Sequence, residues 1–214
     1  MSNTYSLYQN GWTGLAVEFD SHNFASMATR YRDFLSIKLA KCKVTPNNVV
    51  SLLLANGTPK EFEFLNLDID GYDYFVLDKI LGYYRPKLIC TEINEKIPPP
   101  IRFTVKWDPS YVWAGDHFYG QSISQLYRLT NQYNYSLVEL YYNNALLIPS
   151  ELCSKTCLTQ EEAYKKGYME KIDRKEKFPW NANMENVLHM RPEESMAFII
   201  SFFEKYKGKF DISL

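Results

Sequence analysis

Apolar runs of strand length alternate with helix-like segments through residues 14–94, and few folds accept that rhythm. The runs are "GLAVEF" (14–19), "SIKLAKCKV" (36–44), "FEFLNLDI" (62–69) and "KLICTEIN" (87–94). "SHNFASMATRYRDF" lies between the first two, with Ser21 as its expected cap. "TPNNVVSLLLANG" follows the second, with Thr45 as cap, Pro46 at the first helical position and Gly57 as stop. "GYDYFVLDKILGYY" follows the third. Strand and helix in strict turn imply parallel strands joined by right-handed crossovers. The runs are apolar throughout, as expected for strands covered on both faces.

After "PPP" (98–100) the rhythm changes. "IRFTVKWDPSYVWAGDHFYGQS" reads as an ordered aromatic loop containing one short strand, and "SISQLYRLTNQYN" as a helix. "YSLVELYY" and "NALLIP" read as a hairpin turning at Asn143-Asn144. The expected division is an α/β domain over 1–149 and a helical extension over 150–214. The last helix of that extension, "PEESMAFIISFFEKYKG", is amphipathic and is expected to pack back on the same domain.

A net charge of −1 gives no electrostatic footprint for nucleic acid or an anionic membrane. No apolar run approaches the roughly 18 residues of a membrane span. The N-terminus lacks the basic and apolar regions of a signal peptide, so a cytoplasmic location is expected. Four cysteines do not make a disulfide framework in a chain of 214 residues. Cys42 and Cys90 read as small buried hydrophobes. The "CSKTC" spacing of Cys153 and Cys157 is not that of a zinc site, and no resident metal is assigned.

Ligands of open α/β sheets bind at the carboxyl ends of the parallel strands. The first run ends at Glu18 and Asp20, and the second at Lys43 and Val44. The third ends at Asp68, Asp70 and Asp73, and the fourth at Glu92 and Asn94. A helix cap explains one acid of the "DIDGYD" cluster and a second with strain. Three within six residues repel one another, which raises pKa values or recruits a cation. A strand-end acid such as Glu18 is suited to accept hydrogen bonds from both hydroxyls of a nucleotide ribose. Two short patterns compete for the cluster. "LDIDG" resembles the Asp-x-Asp-Gly start of haloacid-dehalogenase-type phosphatases, but Tyr72 stands where those carry Thr or Val. An apolar strand followed by Asp-x-Asp also resembles the metal-nucleotide motif of one glycosyltransferase class.

A longer likeness runs through "VTPNNVVSLL", "FEFLNLDIDGYDYFVLDKILGYYRPKLICTEINEKIPPP" and "WAGDHFYGQSISQLYRLTNQYNYSLVELYYNNALLIP". Over residues 2–149 the chain resembles the FkbM-type methyltransferases. That resemblance implies a Rossmann-like class I fold: a three-layer sandwich whose mostly parallel sheet ends in an antiparallel hairpin, with S-adenosylmethionine as methyl donor. It implies Glu18 on the cofactor ribose beside Asp20, Lys43 and Val44 along the adenine, and Asp68 at the methionine end or reacting centre. Asp70, Asp73, Glu92, Asn94, Asp116, His117 and Tyr119 would face the acceptor, a small hydroxylated molecule, with Asp70 and His117 as candidate bases. The likeness departs at the N-terminus. The family's first, central strand and glycine-rich loop would precede Ser2-Asn3-Thr4. The expectation is therefore a late start, a truncated gene, or a remnant that no longer binds the cofactor. A remnant would self-associate through an exposed sheet edge or the C-terminal helix, or pair with a partner subunit.

Overall fold

The computed structural model describes residues 4–154 and 157–214. The Ser2-Asn3 part of the family likeness lies outside the described residues. The fold is mixed α/β, and the chain divides into two compact units, Met1–Lys60 and Glu61–Leu214. The division falls at residue 60 rather than at 149, because the C-terminal segment packs into the second unit.

In the first unit α1 (Tyr5–Gln9), β1 (Gly14–Glu18), α2 (Ser21–Tyr31), β2 (Ile37–Lys41) and α3 (Val49–Ala55) follow in order. β1 and β2 pair in parallel, from Gly14 opposite Ile37 to Glu18 opposite Lys41. Tyr8, Tyr31 and Ile37 form its core, with Tyr5, Met27 and Phe34 packed against them. The cap of α2 is Asp20, one residue before the expected Ser21. Its Oδ1 accepts the N–H groups of His22 and Asn23, both at 2.9 Å. α3 starts at Val49, later than Pro46 suggested. The Asn48 side chain closes the preceding turn, accepting the Thr45 N–H at 2.7 Å and donating to the Lys43 carbonyl at 2.9 Å. The helix stops as expected, at Gly57 in the left-handed region (φ +70°).

The second unit opens with β3 (Glu61–Leu67), α4 (Asp73–Leu81) and β4 (Arg85–Glu92), and β3 and β4 are parallel. β5 (Arg102–Val105), α5 (Ile123–Gln132), β6 (Tyr135–Tyr141) and β7 (Asn144–Pro149) follow. β6 and β7 form the expected antiparallel hairpin, turning at Tyr142 and Asn143, and β7 pairs antiparallel with β4. The sheet order is β3-β4-β7-β6. β3 departs from the expectation of a strand covered on both faces. It is the end strand of this sheet, and Glu61, Glu63 and Asn66 are exposed.

Past β7 the chain makes a short turn of 3-10 helix at Ser150–Leu152. Cys153 and Cys157 are joined in a disulfide, a single local bridge rather than a framework; Lys155 and Thr156 between them lie outside the described residues. α6 (Gln160–Tyr164), α7 (Arg174–Lys177), α8 (Pro192–Phe202) and β8 (Phe210–Ser213) complete the unit. The extension is thus not wholly helical. β8 pairs antiparallel with β5, Phe210 opposite Val105 and Ser213 opposite Arg102. Ile199 of α8 and Phe203 join Ile97, Phe103, Val105, Phe118, Met184 and Val187 in one buried cluster. Among the described residues no helix is long and apolar enough to cross a membrane.

The extension also fastens the hairpin. Tyr142 turns in the left-handed region (φ +58°), and its N–H donates to the carbonyl of Gly167 at 2.9 Å. At Gly167 the chain passes so close to β6 that an added Cβ would stand 2.1 Å from the Leu140 carbonyl oxygen. Gly167→Ala should therefore destabilise the fold by about 3 kcal/mol, a loss of roughly 6–12 °C in melting temperature by calorimetry. A variant melting with the parent would show that the extension is not held at this crossing.

Candidate functional site

β3 ends in buried Leu67, and six residues later α4 begins. The loop between them is folded around Asp73, the first residue of that helix. Its side chain is buried, with Oδ1 accepting the Ile69 N–H and Oδ2 the Gly71 N–H, each at 3.0 Å. Asp70 sits between those donors in the left-handed region (φ +54°). Gly71 has no room for a side chain, since a Cβ there would meet Tyr111 Cε1 at 2.5 Å. Tyr72 packs edge-on to Trp107, with ring centroids 4.4 Å apart. Aromatic residues from the 107–111 segment thus back the loop.

This geometry brings Asp68 and Asp70 together with Glu92, the last residue of β4. Carboxylate oxygens of all three lie within 4.8 Å of one another, a spacing that would accommodate one divalent cation. Glu92 is half-buried, and its Oε1 accepts the Asn143 amide at 2.6 Å. Burial pushes its pKa up, and the charges of Asp68, Asp73 and Asp70 push it further. Asp68 is exposed as a residue, yet its carboxyl is crowded by the protein and hydrogen-bonded to Glu92. Its pKa is raised by desolvation and held back by that hydrogen bond. Burial thus raises both carboxyls of the pair, and a hydrogen bond links them. Asp73 is pushed up to about 6 by burial, against the opposing pull of the Gly71 and Ile69 N–H groups. The Asp68–Glu92 hydrogen bond, the Asn143 amide and the backbone donors to Asp73 are what let so many acids gather at one strand end.

Other expected site residues do different work. Asp73, 1% exposed and with both oxygens engaged, shapes the loop rather than facing an acceptor. Asn94 is buried and donates to the carbonyls of His117 and Tyr119, both at 2.9 Å, so it is scaffold for the aromatic loop. Tyr119 is buried in a polar network, its hydroxyl donating to Glu95 at 2.7 Å and accepting from Lys96 at 2.8 Å. Asp116 accepts from the Phe118 N–H, Lys205 and Tyr206. Burial would raise its pKa, but those three hydrogen bonds outweigh it and hold the carboxyl below its ordinary value. His117 packs at a tilt against Phe202, with centroids 5.5 Å apart, and its pKa is lowered by burial and by the Lys96 charge.

In the first unit Glu18 stands at the end of β1 with Oε1 fixed by the Asp20 N–H at 2.8 Å, while Asp20 serves as helix cap. The Lys43 ammonium lies 5.9 Å from the Phe19 ring centroid, and Val44 is half-buried.

The Glu95–Lys96 pair escapes a reading of strand ends. Both side chains are buried, with Nζ and Oε1 3.2 Å apart, and Asn181 donates to the same Glu95 oxygen at 2.6 Å. Desolvation lowers the Lys96 pKa against the pull of Glu95. The signal was present as a Glu-Lys pair bracketed by Ile93 and Ile97, both 0% exposed. A charged pair inside an apolar bracket has to find partners indoors.

An acid whose folded pKa exceeds its unfolded value binds an extra proton in the native state. Stability then falls as pH rises between the two values, and the full penalty remains above the higher one. For Asp73 the window runs from 3.8 to about 6. Denaturant midpoints measured from pH 4 to 8 on parent and Asp73→Asn should diverge through this window, the parent losing roughly 2–3 kcal/mol more than the variant. Parallel curves would place the titration elsewhere. Comparison with known proteins finds no matching family model, no matching curated protein and no matching solved structure.

Proposed function

We propose that the chain is a class I methyltransferase-type protein transferring a methyl group from S-adenosylmethionine to a hydroxyl of a small acceptor. The observation that carries this reading is the meeting of Asp68, Asp70 and Glu92 at the carboxyl ends of two adjacent parallel strands. The strand sets are compatible with it. A Rossmann-like class I sheet considered without its central strand consists of a parallel pair and a second set ending in an antiparallel hairpin. β1-β2 and β3-β4-β7-β6 have those forms.

The chemistry asks little of the protein beyond placement and a proton acceptor. When bound, the cofactor supplies an electrophilic methyl on a sulfonium. Within the first unit, Glu18 keeps one carboxylate oxygen beyond that bonded by the Asp20 N–H, a group suited to ribose hydroxyls. The acceptor hydroxyl would donate into the acidic cluster. Asp70 would take the proton that leaves the hydroxyl as the new oxygen–carbon bond forms and the sulfonium–methyl bond breaks. His117, tied to Phe202, has no part in it.

The 4.8 Å spacing of the trio supports a second reading, a metal-dependent glycosyltransferase. Manganese-dependent binding of a nucleotide sugar that Asp70→Ala abolishes would favour it over methyl transfer.

Calorimetric titration with S-adenosylhomocysteine and S-adenosylmethionine tests the main reading. Heat of binding is expected from the parent, weakened at least roughly tenfold by Glu18→Ala, since a hydrogen bond to a charged carboxylate is worth about 1.5 kcal/mol or more. Absence of heat with both ligands would end the methyl-transfer reading.

A further inference from the structure

β6 is an end strand of its sheet, and the C-terminal extension is bonded along it. The Leu158 N–H donates to the Leu137 carbonyl at 2.9 Å, and the Gly167 carbonyl accepts the Tyr142 N–H at the hairpin turn. Between these contacts the Tyr164 hydroxyl donates to the Glu95 carbonyl. The turn bears on the candidate site, because Asn143 follows Tyr142 and its amide holds Glu92. The Cys153–Cys157 disulfide comes directly before Leu158. On its other side Ser150 is anchored, its N–H donating to the Asn134 carbonyl at 2.8 Å. The bridge therefore takes up the chain between two fixed points.

The bridged cysteines are four positions apart, in a unit with a buried apolar core of its own. A disulfide stabilises most where it closes a long loop, so this one is a weak staple for the fold as a whole. Both of its cysteines are half-buried rather than enclosed in the core. Cys90 is buried and Cys42 lies in the first unit, so within the second unit the two exchange with each other. We propose that Cys153 and Cys157 form a reversible redox latch, and that reducing it loosens the extension from β6. The reductant is a dithiol. Its thiolate attacks one bridge sulfur, forming a mixed disulfide and releasing the other cysteine as a thiolate, which takes up a proton. The second thiol of the reductant then closes on its own first sulfur and frees the remaining cysteine. The bridge gains two electrons and two protons, and the dithiol leaves as a cyclic disulfide. The latch does not depend on methyl transfer.

The full chain is equilibrated under native conditions with dithiothreitol or with its oxidised form, then alkylated and mapped by mass spectrometry. Cys153 and Cys157 should both take the label after dithiothreitol and neither after the oxidised form, and re-oxidation should restore the bridge. Hydrogen exchange read by NMR gives the structural effect. The Leu158 and Tyr142 amides should exchange roughly tenfold faster or more in the reduced chain, while amides of β4 keep their rates. The double variant Cys153→Ser, Cys157→Ser should exchange at the reduced rate with or without dithiothreitol, with circular dichroism confirming that it folds. Cys42→Ser should respond to the reductant as the parent does. A bridge that dithiothreitol leaves intact in the native chain overturns the proposal. Equal exchange at Leu158 and Tyr142 in the two forms of the parent overturns it as well, as does a folded double variant that keeps the oxidised rates.

Discussion

Asp73 accepts the N–H groups of Ile69 and Gly71 from a buried position, and the arrangement around it follows from those two contacts. A carboxylate ordinarily avoids such burial, because removing it from water is expensive. Here the backbone donors stand in for water, and the loop between β3 and α4 is drawn into a single shape. Asp70 is thereby turned into the left-handed region, and the side chains of Asp68 and Asp70 are presented beside Glu92. The most buried acid of the cluster is the one that positions the others.

That loop depends in turn on residues distant in sequence. Gly71 yields space to Tyr111, and Tyr72 meets Trp107. The aromatic segment is itself held by the C-terminal extension, through β5 on β8, Asp116 on Lys205 and Tyr206, and Phe118 between Phe203, Tyr206 and Phe210. Each aromatic contact contributes about 0.5–1.5 kcal/mol beyond its area burial, so the set outweighs any one exposed ion pair in the same region. A tail that contributes nothing to the acidic cluster directly still fixes the wall behind it.

What the sequence disclosed and what it withheld divide along the range of the forces involved. The strand and helix alternation through Glu92, the helix from Ser122, the Gly57 stop and the β6-β7 hairpin were legible because each is set by neighbours a few residues away. The gathering of Asp68, Asp70 and Glu92 was legible because parallel strands bring their ends to one edge. β8 was not, since "FDIS" gains strand form only from pairing with β5 more than a hundred residues earlier. Asp73, Asn94 and Tyr119 looked like site residues because their types suit a site. Their partners are backbone groups and a buried ion pair that no local pattern announces.

Two charge systems lie close together in the second unit, one buried and one partly exposed, and they are unlike. Glu95 and Lys96 balance each other, with Tyr119 and Asn181 supplying hydrogen bonds. The pair therefore offers little relief to the carboxylates a few residues away. The Glu95 charge in fact adds to the rise in the Glu92 pKa. The acidic cluster is met instead by the Asn143 amide on Glu92, the hydrogen bond between Glu92 and Asp68, and the backbone donors to Asp73. A balanced ion pair beside a cluster of one sign leaves the Asp68 and Glu92 carboxyls with raised pKa values, and a group donating into that cluster would relieve them.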